Sequence, residues 1–148
     1  MEMKEIKTNV IAIIDPECNI IGNLSNISSV IFNNVDDLNW VGFYLSINNE
    51  LQLGPFQGNL ACTRIKYGKG VCGSVADSKN GIIVPNVHDF AGHIACDSAS
   101  NSEMVLPILY SNGHLFGVFD IDSTRYNRFS QEDYEVIESI VSEIQKLL

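Results

Sequence analysis

Two segments of this chain each read as a pair of short strands folded back on a tight turn, and they constrain the fold more than any other feature. In NWVGFYLSINNELQLGPFQG, residues 40–47 are rich in aromatic and β-branched side chains, Asn48-Asn49 is a turn signal, and residues 51–56 form a second short strand. In SEMVLPILYSNGHLFGVFDIDS the turn falls at Asn112-Gly113. Helical signals surround them. Asp15-Pro16 resembles a capping residue followed by proline in the first turn, and Ile20, Ile21, Leu24, Ile27 and Ile31 recur at helical spacing, which predicts a helix over 16–33 with a short extra helix before it. GVCGSVADSKN predicts a short helix stopped at Asn80-Gly81, and GIIVPNV a strand ended by Pro85. Ser130 and Asp133 have capping-box spacing ahead of an apolar stripe of Tyr134, Ile137, Ile140, Val141, Ile144 and Leu148. The order is helix, hairpin, short helix, strand, long loop, hairpin, helix. It predicts an α+β domain with a central antiparallel sheet and helices packed on it.

A length of 148 residues fits one domain over 1–148, large enough to bury a core without staples. The net charge of −9, with basic residues never adjacent, argues against a nucleic-acid or anionic membrane surface. The apolar patch at residues 10–14 is too short for a signal sequence and is followed by Asp15-Pro16-Glu17, and no apolar run reaches a membrane span. A cytoplasmic protein is expected. In that reducing setting Cys18, Cys62, Cys72 and Cys96 are not a structural disulfide framework. With no C-x-x-C pair, and His93 with Cys96 the one close set, no metal site is expected.

Three groups of residues can carry chemistry. Cys62, Cys72 and Cys96 each lie in or beside a loop. A free cysteine is most often a small buried hydrophobe, but three near loops suit redox chemistry, where a sulfenic acid needs a second thiol to resolve it. Asp120 and Asp122 are two apart on a strand and point the same way, and Glu103 starts the partner strand. A D-x-D pair is often a solvated face. Here Val118, Phe119 and Ile121 flank it, and carboxylates gathered in a partly buried patch raise one another's pKa, so that one can donate a proton while others bind an ammonium group. Trp40 and Tyr44 share a strand face and suit either core packing or the wall of a pocket for an apolar or sulfur-bearing group. Between the hairpins runs GHIACDSASNSE, residues 92–103. Its small residues 98–102 would let backbone close over a small substrate and offer N–H and O–H donors.

The stretches DLNWVGFYL, LGPFQGNLACTRI, GKGVCGSVA, GHIACDSASNSEMVLPI and GVFDIDS together closely resemble the free methionine-(R)-sulfoxide reductases, small enzymes made of one GAF domain. The resemblance runs from about Asp37 to the C-terminal helix, and the segment before Asn39 departs from it. It implies reduction of the R-sulfoxide of free methionine, with Cys96 attacking, Cys62 resolving and Cys72 a further redox-active thiol. It implies that Glu103, Asp120 and Asp122 bind the sulfoxide and amino groups, and that Trp40 and Tyr44 receive the methyl end. No cofactor is implied; thioredoxin or a similar dithiol would be the reductant and a homodimer the assembly. Cys18 has no counterpart and is read as structural. Two other classes fit parts of the pattern: a GAF sensor that binds a small ligand without turnover, and a thiol redox switch that peroxide oxidises but methionine sulfoxide does not.

Overall fold

A computed structural model describes residues 1–92 and 99–148. The expected nucleophile Cys96 and its neighbour His93 lie outside the described residues. Six strands, β1 (Trp40–Ile47), β2 (Glu50–Gly58), β3 (Arg64–Lys66), β4 (Ile82–Val84), β5 (Ser102–Leu109) and β6 (Leu115–Ser123), form one sheet. Its order is β3-β2-β1-β6-β5-β4, and every neighbouring pair is antiparallel. The helices are α1 (Lys7–Ile13), α2 (Ile20–Asn34), α3 (Gly70–Ser78) and α4 (Gln131–Gln145), with short 3-10 turns at Met3–Glu5 and Val87–Asp89. Among the described residues no helix is long and apolar enough to cross a membrane. The α+β architecture with a central antiparallel sheet is the one the hairpins predicted.

Both hairpins follow from their turns. Asn48 and Asn49 have φ of 54° and 61°, the pair of positive values that a two-residue type I′ connection needs and that asparagine tolerates. In the second hairpin Gly113 takes φ of 86°, its N–H bonds to the Tyr110 carbonyl, and the register shifts at Ile108/Leu109.

Helix limits differ from expectation in two places. The cap of α2 is Asn19, whose side chain accepts from the Gly22 N–H, and not Asp15. Asp15 instead accepts from the Glu17 N–H around Pro16, a local turn that competes with helix entry. At the end of α3 the left-handed position is Lys79, with φ of 59°. Gly81, expected as the stop, leaves room for the Tyr134 ring. The segment after Cys62 contains β3, which the sequence did not mark because three residues are too few to show a period. The α4 capping box is present in both directions between Ser130 and Asp133.

Strand alternation gives the sheet two different faces. On one, Val41, Phe43, Met104, Leu106, Phe119 and Ile121 join the buried sides of α1, α2 and α4, including Val10, Leu24, Ile27, Ile137, Ile140 and Ile144. On the other, Trp40, Tyr44, Val105 and Val118 pack with Val71, Cys72 and Val75 of α3. Of the α4 stripe, Leu148 lies past the helix end and is exposed.

Candidate active site

Period two sends Asp120 and Asp122 to the α3 face of β6, the side Val118 also takes. The β5–β6 register sets Glu103 directly opposite Asp122, and the β1–β6 register sets Trp40 on the other flank of Asp122 and Gly42 beside Asp120. Glu103, Asp120 and Asp122 are only 8%, 5% and 7% exposed. From above, α3 lowers Cys72 into the group, its Sγ donating to Glu103 Oε2 at 3.9 Å. Thus two strands and one helix bring together the three carboxyls and the thiol that the sequence singled out.

This arrangement is electrostatically costly. Like charges facing each other across a strand pair destabilise it, and here they are also removed from water. Among the described residues no ion pair reaches these carboxyls. Burial is the main force raising the pKa of Asp120, Asp122 and Glu103 well above the ordinary carboxylate range. The charge of a neighbouring carboxylate adds to it in each: Asp122 for Asp120, Glu103 for Asp122, Asp120 for Glu103. A hydrogen bond from Ser100 opposes the rise at Asp122. Burial and then Asp120 likewise push the Cys72 thiol up. Asp120 Oδ1 and Asp122 Oδ1 are buried with no hydrogen-bond partner among the described residues. Such a group holds protons above the ordinary carboxylate range, can give one to a developing oxyanion, and attracts a cation. Cys72, Glu103 and Asp120 are also the trio able to hold a metal ion among the described residues, with ligand atoms within 4.8 Å of one another.

The aromatic pair is as close as its spacing implied. Trp40 and Tyr44 stack at 5.8 Å, each 2% exposed. Phe56 covers the indole at 5.2 Å. Sequence reading missed Phe56, although Gly42 hinted at it: a glycine inside a strand marks a close approach, and a Cβ there would collide with Phe56 and lie 2.7 Å from Trp40 Cη2. The pair also bonds outward. Tyr44 Oη donates to the Cys62 carbonyl at 3.0 Å and Trp40 Nε1 to the Asn59 carbonyl at 3.2 Å. Burial, then Asp120, raises the Tyr44 pKa, so the phenol stays a donor.

Of the cysteines, Cys62 is partly buried and disulfide-bonded, Cys72 is buried and free, and Cys18 is exposed and free. The end of the polar loop differs from expectation. Its side chains were read as donors to a substrate, yet Ser100 Oγ accepts from Asn39 Nδ2 at 3.0 Å, Asn101 Nδ2 donates to the Thr124 carbonyl, and Ser102 Oγ donates to the Arg125 carbonyl. Asn101 and Ser102 fasten the loop's exit to the segment after β6 and Ser100 ties it to the residue before β1, because a buried loop end must satisfy its polar atoms internally.

The family model for the GAF domain matches residues 10–147. The free methionine-R-sulfoxide reductase of Escherichia coli (strain K12) is 44% identical over 137 residues, 93% of this chain and 82% of the relative. The one from Saccharomyces cerevisiae is 45% identical over 139 residues, 89% of this chain and 77% of the relative. A solved structure of fRMsr of Staphylococcus aureus in complex with substrate superposes with a TM-score of 0.91 at 44% identity, covering 99% of this chain and 95% of the other. Fold, family match and identity over nearly the whole length agree: the chain belongs to the GAF-domain family and, within it, to the free methionine-R-sulfoxide reductases.

Proposed function

We propose that this chain reduces free methionine-(R)-sulfoxide to methionine by thiol chemistry, as one catalytic domain over residues 1–148. The observation that carries the reading is the group of three carboxyls, each more than nine-tenths buried, with two unpartnered oxygens. A group of this kind suits a substrate that brings an ammonium to be neutralised and a sulfoxide oxygen to be protonated. The names of the Escherichia coli and yeast relatives, and the substrate complex from Staphylococcus aureus, support it.

In this mechanism the Cys96 thiolate attacks the sulfoxide sulfur while a protonated carboxyl from Glu103, Asp120 or Asp122 delivers a proton to the oxygen. The oxygen passes to Cys96 as a sulfenic acid, and methionine leaves. Ionised members of the group hold the ammonium, and Trp40 and Tyr44 wall the methyl end. Cys62 then displaces the hydroxyl, giving a disulfide and water, and thioredoxin or another external dithiol reduces the pair. The disulfide bonding of Cys62 supports this role. Cys72, taken as redox-active by resemblance, contributes as a neutral donor to Glu103, since a raised pKa is the reverse of what a nucleophile needs. No resident cofactor or metal enters. A cytoplasmic homodimer completes the proposal.

Incubation with dithiothreitol and each sulfoxide tests it. Methionine is expected from the free R form, with little from the S form or from N-acetylmethionine-(R)-sulfoxide, whose amine is blocked. Comparable turnover of the blocked compound overturns the assignment of the carboxyls.

A further inference from the structure

We propose that Trp40 and Tyr44 are positioning residues for the resolving thiol: their polar ends clamp the connection between β2 and β3 ahead of Cys62 and at Cys62 itself, and so set how fast the disulfide closes. This rests on the resolving role given to Cys62 above.

In the connection Ala61 and Cys62 pack on the α3-side core, and the residues around them lie open. Between Gly58 and Arg64, Leu60 is 90% exposed, and Asn59 and Thr63 are exposed as well. An apolar anchor at Leu60 is therefore absent. Two hydrogen bonds from the rings add to the packing of Ala61 and Cys62. The Trp40 indole N–H reaches the Asn59 carbonyl at 3.2 Å, and the Tyr44 hydroxyl reaches the Cys62 carbonyl itself at 3.0 Å. Beyond them the chain rejoins the sheet through Leu53 N–H and the Thr63 carbonyl at 2.9 Å. Both donors are rings fixed on β1, stacked on each other and, for Trp40, on Phe56. The connection also leaves β2 pressed on the indole. Gly58 has φ of 137°, and a Cβ there would lie 2.6 Å from Trp40 Cδ1. The two attachments are seen with Cys62 disulfide-bonded, so they hold the connection as it stands in the joined state.

The chemical step is intramolecular. The Cys62 sulfur attacks the sulfenic sulfur, an S–S bond forms, the S–O bond breaks, and the hydroxyl leaves with the Cys62 thiol proton as water. Its rate depends on how often the thiol visits an attack geometry, which two fixed points raise and a free connection lowers. A ring that only walled a substrate pocket would need no hydroxyl directed at the resolving residue's backbone.

The test is a quenched single-turnover experiment on Tyr44→Phe, which keeps the ring and removes the clamp. Methionine is counted by chromatography, sulfenic acid by dimedone trapping, and disulfide by non-reducing peptide mapping. The expected result is disulfide closure slowed about fivefold or more, in line with the loss of one hydrogen bond. Dimedone-trapped chains then accumulate that wild type does not show, and kcat falls more than KM rises. In a Cys62→Ser background the hydroxyl should have no further effect on sulfenic acid lifetime. Gly58→Ala, which pushes the connection off the indole, should repeat the slow closure if Tyr44→Phe fails to fold. Closure at the wild-type rate with a raised KM overturns the proposal, leaving a pocket wall alone. A parallel arm forms the sulfenic acid with hydrogen peroxide. Should wild type make no methionine yet close its disulfide faster than Tyr44→Phe in that arm, the substrate assignment fails and the clamp stands.

Discussion

Asp122 sits where two demands conflict: the proposed chemistry asks for an acid that keeps its proton, and folding asks that no charge be buried unpaired. The conflict has a sign. Protons are held by the folded state at pH values where the unfolded chain, with carboxyl pKa near 4, has released them. Stability therefore falls as pH rises from about 4 through the raised pKa values of Glu103, Asp120 and Asp122. Asp122→Asn should flatten this slope and raise the melting temperature at pH 8, while lowering turnover by roughly 100-fold or more through loss of the acid. Melting curves across pH and steady-state rates check both. A variant that keeps its rate and the wild-type slope shows the carboxyl to be idle. The thiols divide in the same way. Cys96→Ser should release no methionine, and Cys62→Ser about one equivalent per chain before stalling, read in a single-turnover assay. Cys72→Ser keeps a donor for Glu103 and should retain much of the rate. At this scale the sequence was informative wherever period two applied: it placed Asp120, Asp122, Trp40 and Tyr44 on shared faces. It was silent on the outward bonds of the rings, because those depend on where the connection after β2 returns.

At the scale of elements, the readable ones carried their own punctuation. Both hairpins were marked by asparagine or glycine turns, and α4 by its cap. Ser130→Ala should cost about 1 kcal/mol in urea unfolding, the usual worth of such a cap, with no change in substrate preference. Elements without a local signal were misread or missed. Asp15-Pro16 offered a plausible cap that the Asx turn to Glu17 preempted, and β3 is held by pairing of Arg64–Lys66 with β2 rather than by any pattern within itself. The polar loop shows the limit from the other side. Serine and asparagine suit a ligand and suit a tied-down turn equally, and only the positions of Thr124 and Arg125 decide that Asn101 and Ser102 are bound to the protein.

For the whole molecule, the segment that matched the family pattern least is structurally well embedded. Met3, Ile6 and Val10 are fully buried against the α2 and α4 side of the sheet. Each such side chain is worth roughly 1.5–3 kcal/mol, so together they rival the net stability of a domain. Deleting residues 1–14 should abolish the cooperative thermal transition followed by circular dichroism; a melt within a few degrees of the full chain would show the segment to be dispensable. Its burial could not be read beforehand, since two turns of helix give too few positions for a period. The two-faced sheet has one more consequence, and it is optical. Trp40 is the chain's single tryptophan, and it stands beside Asp122, against Tyr44 and Phe56, bonded to the connection that carries Cys62. Every photon of indole emission therefore comes from the candidate site. The protein carries a built-in fluorophore whose brightness and colour should follow the proton load of the carboxyls and the redox state of Cys62, without any label attached.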